Sequence, residues 1–166
     1  MKHIQICLLL IFNLTLSAYS SETLNNFFSY NLSIVQTSFN NINNVFDKSY
    51  GNFYRNSDNS IKIEINKPFK EIYIIDKTGI QIHDLDFNQK KFIKKEDISN
   101  NLIDFINNGF PKNPSNIEII NKRSFKIFED KKIYYFEFID KNILQIKYKD
   151  NMNIDTLINF SKRDVN

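Results

Sequence analysis

The stretch Ile61-Lys62-Ile63-Glu64-Ile65 alternates apolar and charged side chains over five residues. Successive side chains of a β-strand point to opposite faces, so this alternation predicts a strand with one dry and one wet face, as in an antiparallel sheet. Similar stripes recur along the chain, and together they predict a mainly β protein with about ten strands. The other predicted strands are Tyr30–Gln36, Phe53–Tyr54, Glu71–Ile75, Ile80–His83, Phe87–Phe92, Ile117–Ile120, Ser124–Glu129, Ile133–Ile139, Ile143–Lys149 and Ile154–Phe160.

Two segments have a different pattern and are predicted to be helical. In Asp97–Phe110 the apolar residues recur at helical spacing, Asp97 or Ser99 can cap the start, and Asn108-Gly109 ends the pattern. Ser21–Phe28 is predicted to form a shorter amphipathic helix. The pattern therefore predicts an α+β fold in which a strongly curved antiparallel sheet has its concave face covered by short helices.

Length and composition exclude several classes of protein. The chain has 166 residues, which is the length of one domain, and its 42% hydrophobic content is enough for a core. A net charge of +3 is too small to indicate nucleic-acid binding. The single cysteine, Cys7, excludes a disulfide framework and any cysteine-rich metal site.

The N-terminus has the three parts of a secretory signal peptide. A basic start is followed by a mostly apolar run, Ile4–Leu16, and by small residues up to Ser20. We expect cleavage after residue 20, leaving a single exported domain over 21–166; an N-terminal membrane anchor is the alternative, although the run is shorter than a spanning helix. Because Cys7 lies inside the run, it is misplaced for lipidation and is expected to leave with the signal.

Few residues of the expected mature chain suit covalent chemistry. His83 is its one histidine, and no nucleophile-elbow glycine pattern accompanies a serine. Asp84, Asp86 and Asn88 alternate like calcium ligands, but the glycine and glutamate of an EF-hand loop are missing, so a solvated hairpin turn is favoured. We predict no enzymatic activity, no metal and no cofactor. Lys90-Lys91 and Lys94-Lys95 form a basic stripe around Phe92, for which a solvated strand face is favoured over contact with anionic lipid or a partner.

Several elements, in order and spacing, resemble the periplasmic outer-membrane lipoprotein carrier family, LolA. The resemblance runs from Tyr30 to Phe92. Its elements are Ile34-Val35-Gln36 after a short helix, a glycine-led strand Gly51-Asn52-Phe53-Tyr54, the alternating strand from Ile61 to Pro68, the turn Asp76-Lys77-Thr78-Gly79, and Phe87-Asn88-Gln89. The middle helix of the family corresponds to Asn100–Gly109, and the region from Ile143 to Phe160 is similar to a later part of it.

The resemblance implies an incomplete antiparallel β-barrel with a helical lid over an apolar cavity. Such a monomeric, periplasmic protein would bind lipoprotein acyl chains, receive them from an inner-membrane ABC transporter and pass them to an outer-membrane receptor. Strand parity and the resemblance together assign the cavity to Leu32, Ile34, Phe53, Ile61, Ile63, Ile65, Ile80 and Ile82, and the lid to Leu102, Ile103, Phe105 and Ile106. The same residues also fit an ordinary core.

The sequence departs from the family in two places. Many members have a lid-holding arginine followed by proline where this chain has Ser57-Asp58, and Arg55, on the same strand parity, is the candidate substitute. The last, phenylalanine-rich strand of the family has no counterpart before Asn166. Three alternatives stay open: an outer-membrane lipoprotein receptor of the same fold, a secreted β-rich hydrolase that uses paired carboxylates, and a binding module.

Overall fold

A computed structural model describes six segments of the chain. They are residues 22–40, 44–98, 101–110, 114–129, 131–150 and 152–163. The predicted signal peptide, residues 1–20, lies outside these segments, as does Ser99, one of the two predicted helix caps.

The described segments are mainly β, as the sequence predicted. The strands are β1 (Leu32–Asn40), β2 (Val45–Arg55), β3 (Ile61–Lys67), β4 (Glu71–Ile75), β5 (Gly79–Asp84), β6 (Gln89–Lys94), β7 (Ile117–Ile119), β8 (Ser124–Glu129), β9 (Lys132–Phe138), β10 (Ile143–Lys149) and β11 (Asp155–Lys162). Two α-helices accompany them, α1 (22–27) and α2 (Asn101–Asn108), with single 3₁₀ turns at Lys95–Asp97 and Pro114–Asn116.

All eleven strands form one antiparallel sheet that is not closed. Its order is β6-β5-β4-β3-β2-β1-β11-β10-β9-β8-β7, so β6 and β7 are the two edges. Within β1–β6 and within β7–β11 each strand pairs with its neighbour in the chain, and β1 pairs with β11 at the centre of the sheet. The sheet is therefore two local meanders that one long-range ladder joins.

Cross-strand register explains the alternation that the sequence displays. Leu32 pairs with Phe53, Phe53 with Ile63, Ile63 with Tyr73 and Tyr73 with Ile82. Directly paired residues project from the same face of a sheet, so these five side chains form one row on one face. Both helices also contribute buried side chains to this face, which we call the apolar face.

The predicted helix over Asp97–Phe110 is shorter in the structure. A 3₁₀ turn covers Lys95–Asp97, Ile98 is extended, and the described part of α2 is Asn101–Asn108. At its other end Gly109 has a φ of 103°, and its N–H donates to the Phe105 carbonyl at 2.9 Å. A left-handed glycine of this kind ends helices because it lacks the Cβ that would clash, so the predicted stop was placed correctly.

Candidate functional site

The eight residues that the sequence assigned to a cavity all lie on the apolar face. Register places Leu32 and Ile34 of β1, Phe53 of β2, three isoleucines of β3, and Ile80 and Ile82 of β5 on it. Leu32, Ile34, Phe53, Ile61 and Ile80 are buried in the core, whereas Ile63 and Ile82 are partly buried against it and Ile65 is half-buried at its margin. The sheet thus brings together residues that are far apart in the chain.

Both helices pack their apolar side chains on this face. The four predicted lid residues belong to α2, where Leu102, Phe105 and Ile106 are buried and Ile103 is partly buried. Phe105 meets Tyr134 of β9 in an edge-on contact at 5.7 Å between ring centroids. These contacts stabilise α2 because an eight-residue helix would not persist alone in water.

Phe28, just after α1, is the centre of an aromatic cluster. Its ring lies 5.1 to 5.7 Å from the rings of Phe27, Phe53, Phe110 and Phe160. Aromatic pairs at this spacing contribute about 0.5–1.5 kcal/mol each beyond their buried area. The space between helices and sheet is therefore filled by side chains of the protein itself.

Arg55, the predicted lid-control residue, ends β2 on the same face as Phe53. Its guanidinium donates to the Ile106 carbonyl through Nη2 at 2.5 Å, to the Phe28 carbonyl through Nε at 3.4 Å, and to the Asn59 carbonyl through Nη1 at 3.1 Å. Burial lowers the pKa of Arg55 from its ordinary value. One half-buried side chain thus joins the sheet to both helical segments.

Two of the three carbonyls that Arg55 binds, those of Phe28 and Ile106, lie at the C-terminal ends of helical segments, where a helix leaves its carbonyls unpaired. Phe28 closes the turn after α1 by donating its N–H to the Leu24 carbonyl, and Ile106 lies in the last turn of α2. Such carbonyls carry the negative end of the helix dipole, so a cation there is favourable by about 0.3–1 kcal/mol at an exposed site. Arg55 therefore caps the ends of both helical segments.

Surface pockets of the described structure are lined mainly by residues outside the predicted cavity and lid. Three surface pockets have volumes of about 670, 670 and 750 Å³. None of the three is lined by a predicted lid residue, and Ile82 is the one predicted cavity residue that lines any of them.

The other residues that the sequence singled out lie in an exposed hairpin turn. Asp84 Oδ1 accepts from the N–H groups of Asp86 and Phe87, each at 3.0 Å, which is the geometry of an Asx turn. His83 Nε2 is 3.5 Å from Asn88 Oδ1 at the same turn. Across the described segments, no three His, Cys, Asp or Glu side chains are grouped to hold a metal ion.

Comparison with known proteins leaves the family resemblance a prediction. No protein-family model matches the chain, and no curated protein sequence is significantly similar to it. No helix in the described part of the chain is both long and apolar enough to cross a membrane.

Sequence reasoning missed much of the aromatic cluster. Phe28, Phe110, Phe136 and Phe160 are buried in the core, yet none was assigned to the site. Strand parity could have found Phe136 and Phe160, since both alternate with more exposed neighbours. Phe28 and Phe110 end the two predicted helices, and the helical spacing that includes Phe110 was read as part of the helix and not assigned to the lid.

Proposed function

We propose that this protein is a periplasmic carrier that binds the acyl chains of lipoproteins on the apolar face of its sheet. It would take them from an inner-membrane ABC transporter, deliver them to an outer-membrane receptor, and catalyse no reaction. The observation that supports this best is the set of Arg55 hydrogen bonds to the Phe28 and Ile106 carbonyls. These hydrogen bonds hold the two helical segments against the sheet, and such polar contacts can break when the helices move.

The physical chemistry of the cargo explains why a movable cover is needed. Burial of one sixteen-carbon acyl chain is worth roughly 12 kcal/mol at about 0.8 kcal/mol per CH₂, so free passage through water is very unfavourable. The aromatic cluster fills the interior when the helices are closed, so acyl chains need α1 and α2 to move off the sheet. Isoleucines and Phe53 of the apolar face would then line the space that is uncovered.

The energy of the Arg55 contacts matches this role. At about 0.5–1.5 kcal/mol net for each bond, the two hydrogen bonds from Arg55 to the helical segments contribute about 1–3 kcal/mol together, well below the roughly 12 kcal/mol gained by burying one acyl chain. Burial of the cargo can therefore offset the loss of the Arg55 bonds, and these bonds help to keep the apolar face covered in the empty protein. We assign Arg55 the part of the lid arginine that the resembling family carries at the position of Ser57.

The test is binding of a fluorescent, synthetic triacylated cysteine peptide to the protein recovered after export. We expect saturable binding by fluorescence anisotropy and none of the same peptide without acyl chains. Equal binding of both peptides, or of neither, would contradict the proposal. Arg55→Leu should speed association with the acylated peptide, whereas Arg123→Leu, which removes a single guanidinium contact to the exposed Ile139 carbonyl, should not.

Metabolic labelling separates the carrier from the receptor alternative. A receptor of the same fold would itself be lipidated, and Cys7 is the one cysteine that could accept the lipid. We expect no incorporation of labelled palmitate into the protein, and incorporation would favour the receptor. Mass spectrometry of the protein purified from its native host should identify acylated lipoproteins as the bound cargo.

A further inference from the structure

Five hairpin turns lie at the same end of the sheet. Because neighbouring strands are antiparallel and β1 pairs with β11, the turns β1–β2, β3–β4, β5–β6, β8–β9 and β10–β11 all fall at one end. The described residues of these turns, with the strand residues next to them, are called the hairpin rim below. Arg55 lies at the opposite end, where β2 finishes.

The hairpin rim carries the most exposed large apolar side chains among the described residues. These side chains are 52% to 75% exposed, and each of the five turns supplies one of them. They are Phe46, Phe69, Phe87, Ile133 and Met152. Scattered exposed apolar residues are ordinary, but such a concentration at one end indicates an interaction surface.

Hydrogen bonds hold two neighbouring turns of the rim together. The Lys70 N–H donates to Asp86 Oδ2 at 2.9 Å, and the Leu85 N–H donates to the Lys70 carbonyl at 2.8 Å. This places Phe69 beside the turn that carries Phe87, whose own N–H is bonded to Asp84. Backbone N–H groups that are already paired can enter an apolar surface without the cost of an unsatisfied donor.

Lysines beside the exposed phenylalanines of the rim, rather than its carboxylates, can reach an anionic occupant. Its acidic groups are engaged within the protein: Asp84 and Asp86 accept turn amides, Asp150 accepts from the Met152 N–H, and Asp155 is ion-paired with Lys149. Lysines with long, flexible stems flank the exposed phenylalanines. Lys67, Lys70 and Lys90 have no ion-pair partner in the described part of the chain.

We propose that the hairpin rim docks on the surface of an anionic lipid bilayer, with Phe69 and Phe87 inserted at headgroup depth. Apolar tips on separate turns reach into an interface, while neighbouring lysines meet lipid phosphates, each worth about fivefold in affinity. A partner protein would instead favour a continuous groove; Phe46 and Ile133 line one of the three surface pockets, whereas Phe69 and Phe87, the side chains proposed to insert, line none of them. The docking does not depend on acyl-chain carriage, because it requires no cargo.

Flotation with vesicles tests the docking. The exported, cargo-free protein is mixed with phosphatidylcholine vesicles with or without phosphatidylglycerol and separated on a density gradient. We expect it to float with the anionic vesicles, less so at high salt, and Phe69→Ser with Phe87→Ser to reduce binding by about tenfold. The control pair, Ile120→Ser with Ile139→Ser, changes side chains that are 44% and 45% exposed at the other end of the sheet and should float like the wild type.

Two results would contradict the proposed docking. One is wild-type protein that does not float with anionic vesicles, which is expected if the rim binds a protein instead. The other is equal flotation of the rim variant pair and the control variant pair. All variants have the same N-terminus, so any contribution of the N-terminus to vesicle binding is the same in each of them. Lys67→Gln with Lys70→Gln should weaken binding to anionic vesicles without changing the weaker binding to neutral ones. Unchanged binding to anionic vesicles would contradict the role of the lysines.

Discussion

At the scale of single residues, the hydrogen bonds of Arg55 are the contacts that are hardest to predict from the sequence. Its parity with Phe53 is visible in the sequence, but its partners are backbone carbonyls of Phe28 and Ile106, 27 and 51 residues away. Which carbonyls a helix leaves unpaired depends on where it ends and where the fold places that end. Arg55 could therefore be predicted from the sequence as a lid-control residue, but its hydrogen-bond partners could not.

Arg55→Leu should lower the free energy of unfolding by about 1–3 kcal/mol, since it removes charged hydrogen bonds to two helical segments. Urea denaturation gives the value, and hydrogen exchange should show faster opening of α2. Arg123→Leu is the matched control, with an expected change within about 0.5 kcal/mol because its guanidinium contact is exposed. Equal losses of unfolding free energy in the two variants would contradict the stabilising role assigned to Arg55.

Asp76 makes the stability of the protein depend on pH through its hydrogen bonds in the β4–β5 hairpin. Its Oδ1 accepts from the Thr78 hydroxyl at 2.6 Å and the Thr78 N–H at 2.7 Å, and these bonds hold the pKa of the carboxyl below its usual value of 3.8. A lowered folded-state pKa adds stability that is present above the usual pKa and is lost as pH falls through the folded one.

The stability gap between wild type and Asp76→Asn should therefore be largest near neutral pH and narrow below about pH 4. Urea midpoints across this range measure it. Thr78→Ala, which removes the hydroxyl donor and keeps the carboxylate, should show a smaller gap with the same trend. A gap that stays constant with pH would contradict the assignment.

At the scale of elements, the helical segments depend on their aromatic contacts. Phe28→Ala should cost about 3–5 kcal/mol, because it opens a cavity among four neighbouring rings. Phe28→Leu, which keeps more of the volume, should cost less and remain folded. Phe87→Ala is the control: its ring is exposed, so thermal and urea midpoints should hardly move. Similar losses for Phe28→Ala and Phe87→Ala would refute this packing argument.

The elements themselves were largely predictable from the sequence. Period-two stripes located the strands because one sheet face is apolar, and the turn Asp76-Lys77-Thr78-Gly79 lies between β4 and β5 as expected. The predicted helix start at Asp97 was wrong, because Lys95–Asp97 forms a separate 3₁₀ turn and Ile98 is extended. The pairing of β1 with β11 was beyond prediction, since alternation shows which face is buried but not which strand is adjacent.

At the scale of the whole molecule, the open sheet must protect its edges. Lys91 of edge strand β6 pairs with Ile82 and so lies on the apolar face, where an inward charge discourages another chain from adding to the sheet. Lys90→Val with Lys91→Ile should therefore promote self-association, measured by light scattering over time. Lys122→Val with Lys141→Ile, in exposed turns, is the control and should remain unassociated. Equal behaviour of the two pairs would argue against this role for β6.

The long-range ladder between β1 and β11 also has a consequence for the order of events in time. Strands β2 to β6 can pair with neighbours that precede them in the chain, but one side of β1 waits for β11, over 100 residues later. Closing so long a loop is slow, so the first strand must spend part of folding half-paired. Pulsed hydrogen exchange during refolding should find the amides of β11 protected later than those of β4 and β5. A chain that emerges N-terminus first would then complete its sheet only when its last strand arrives.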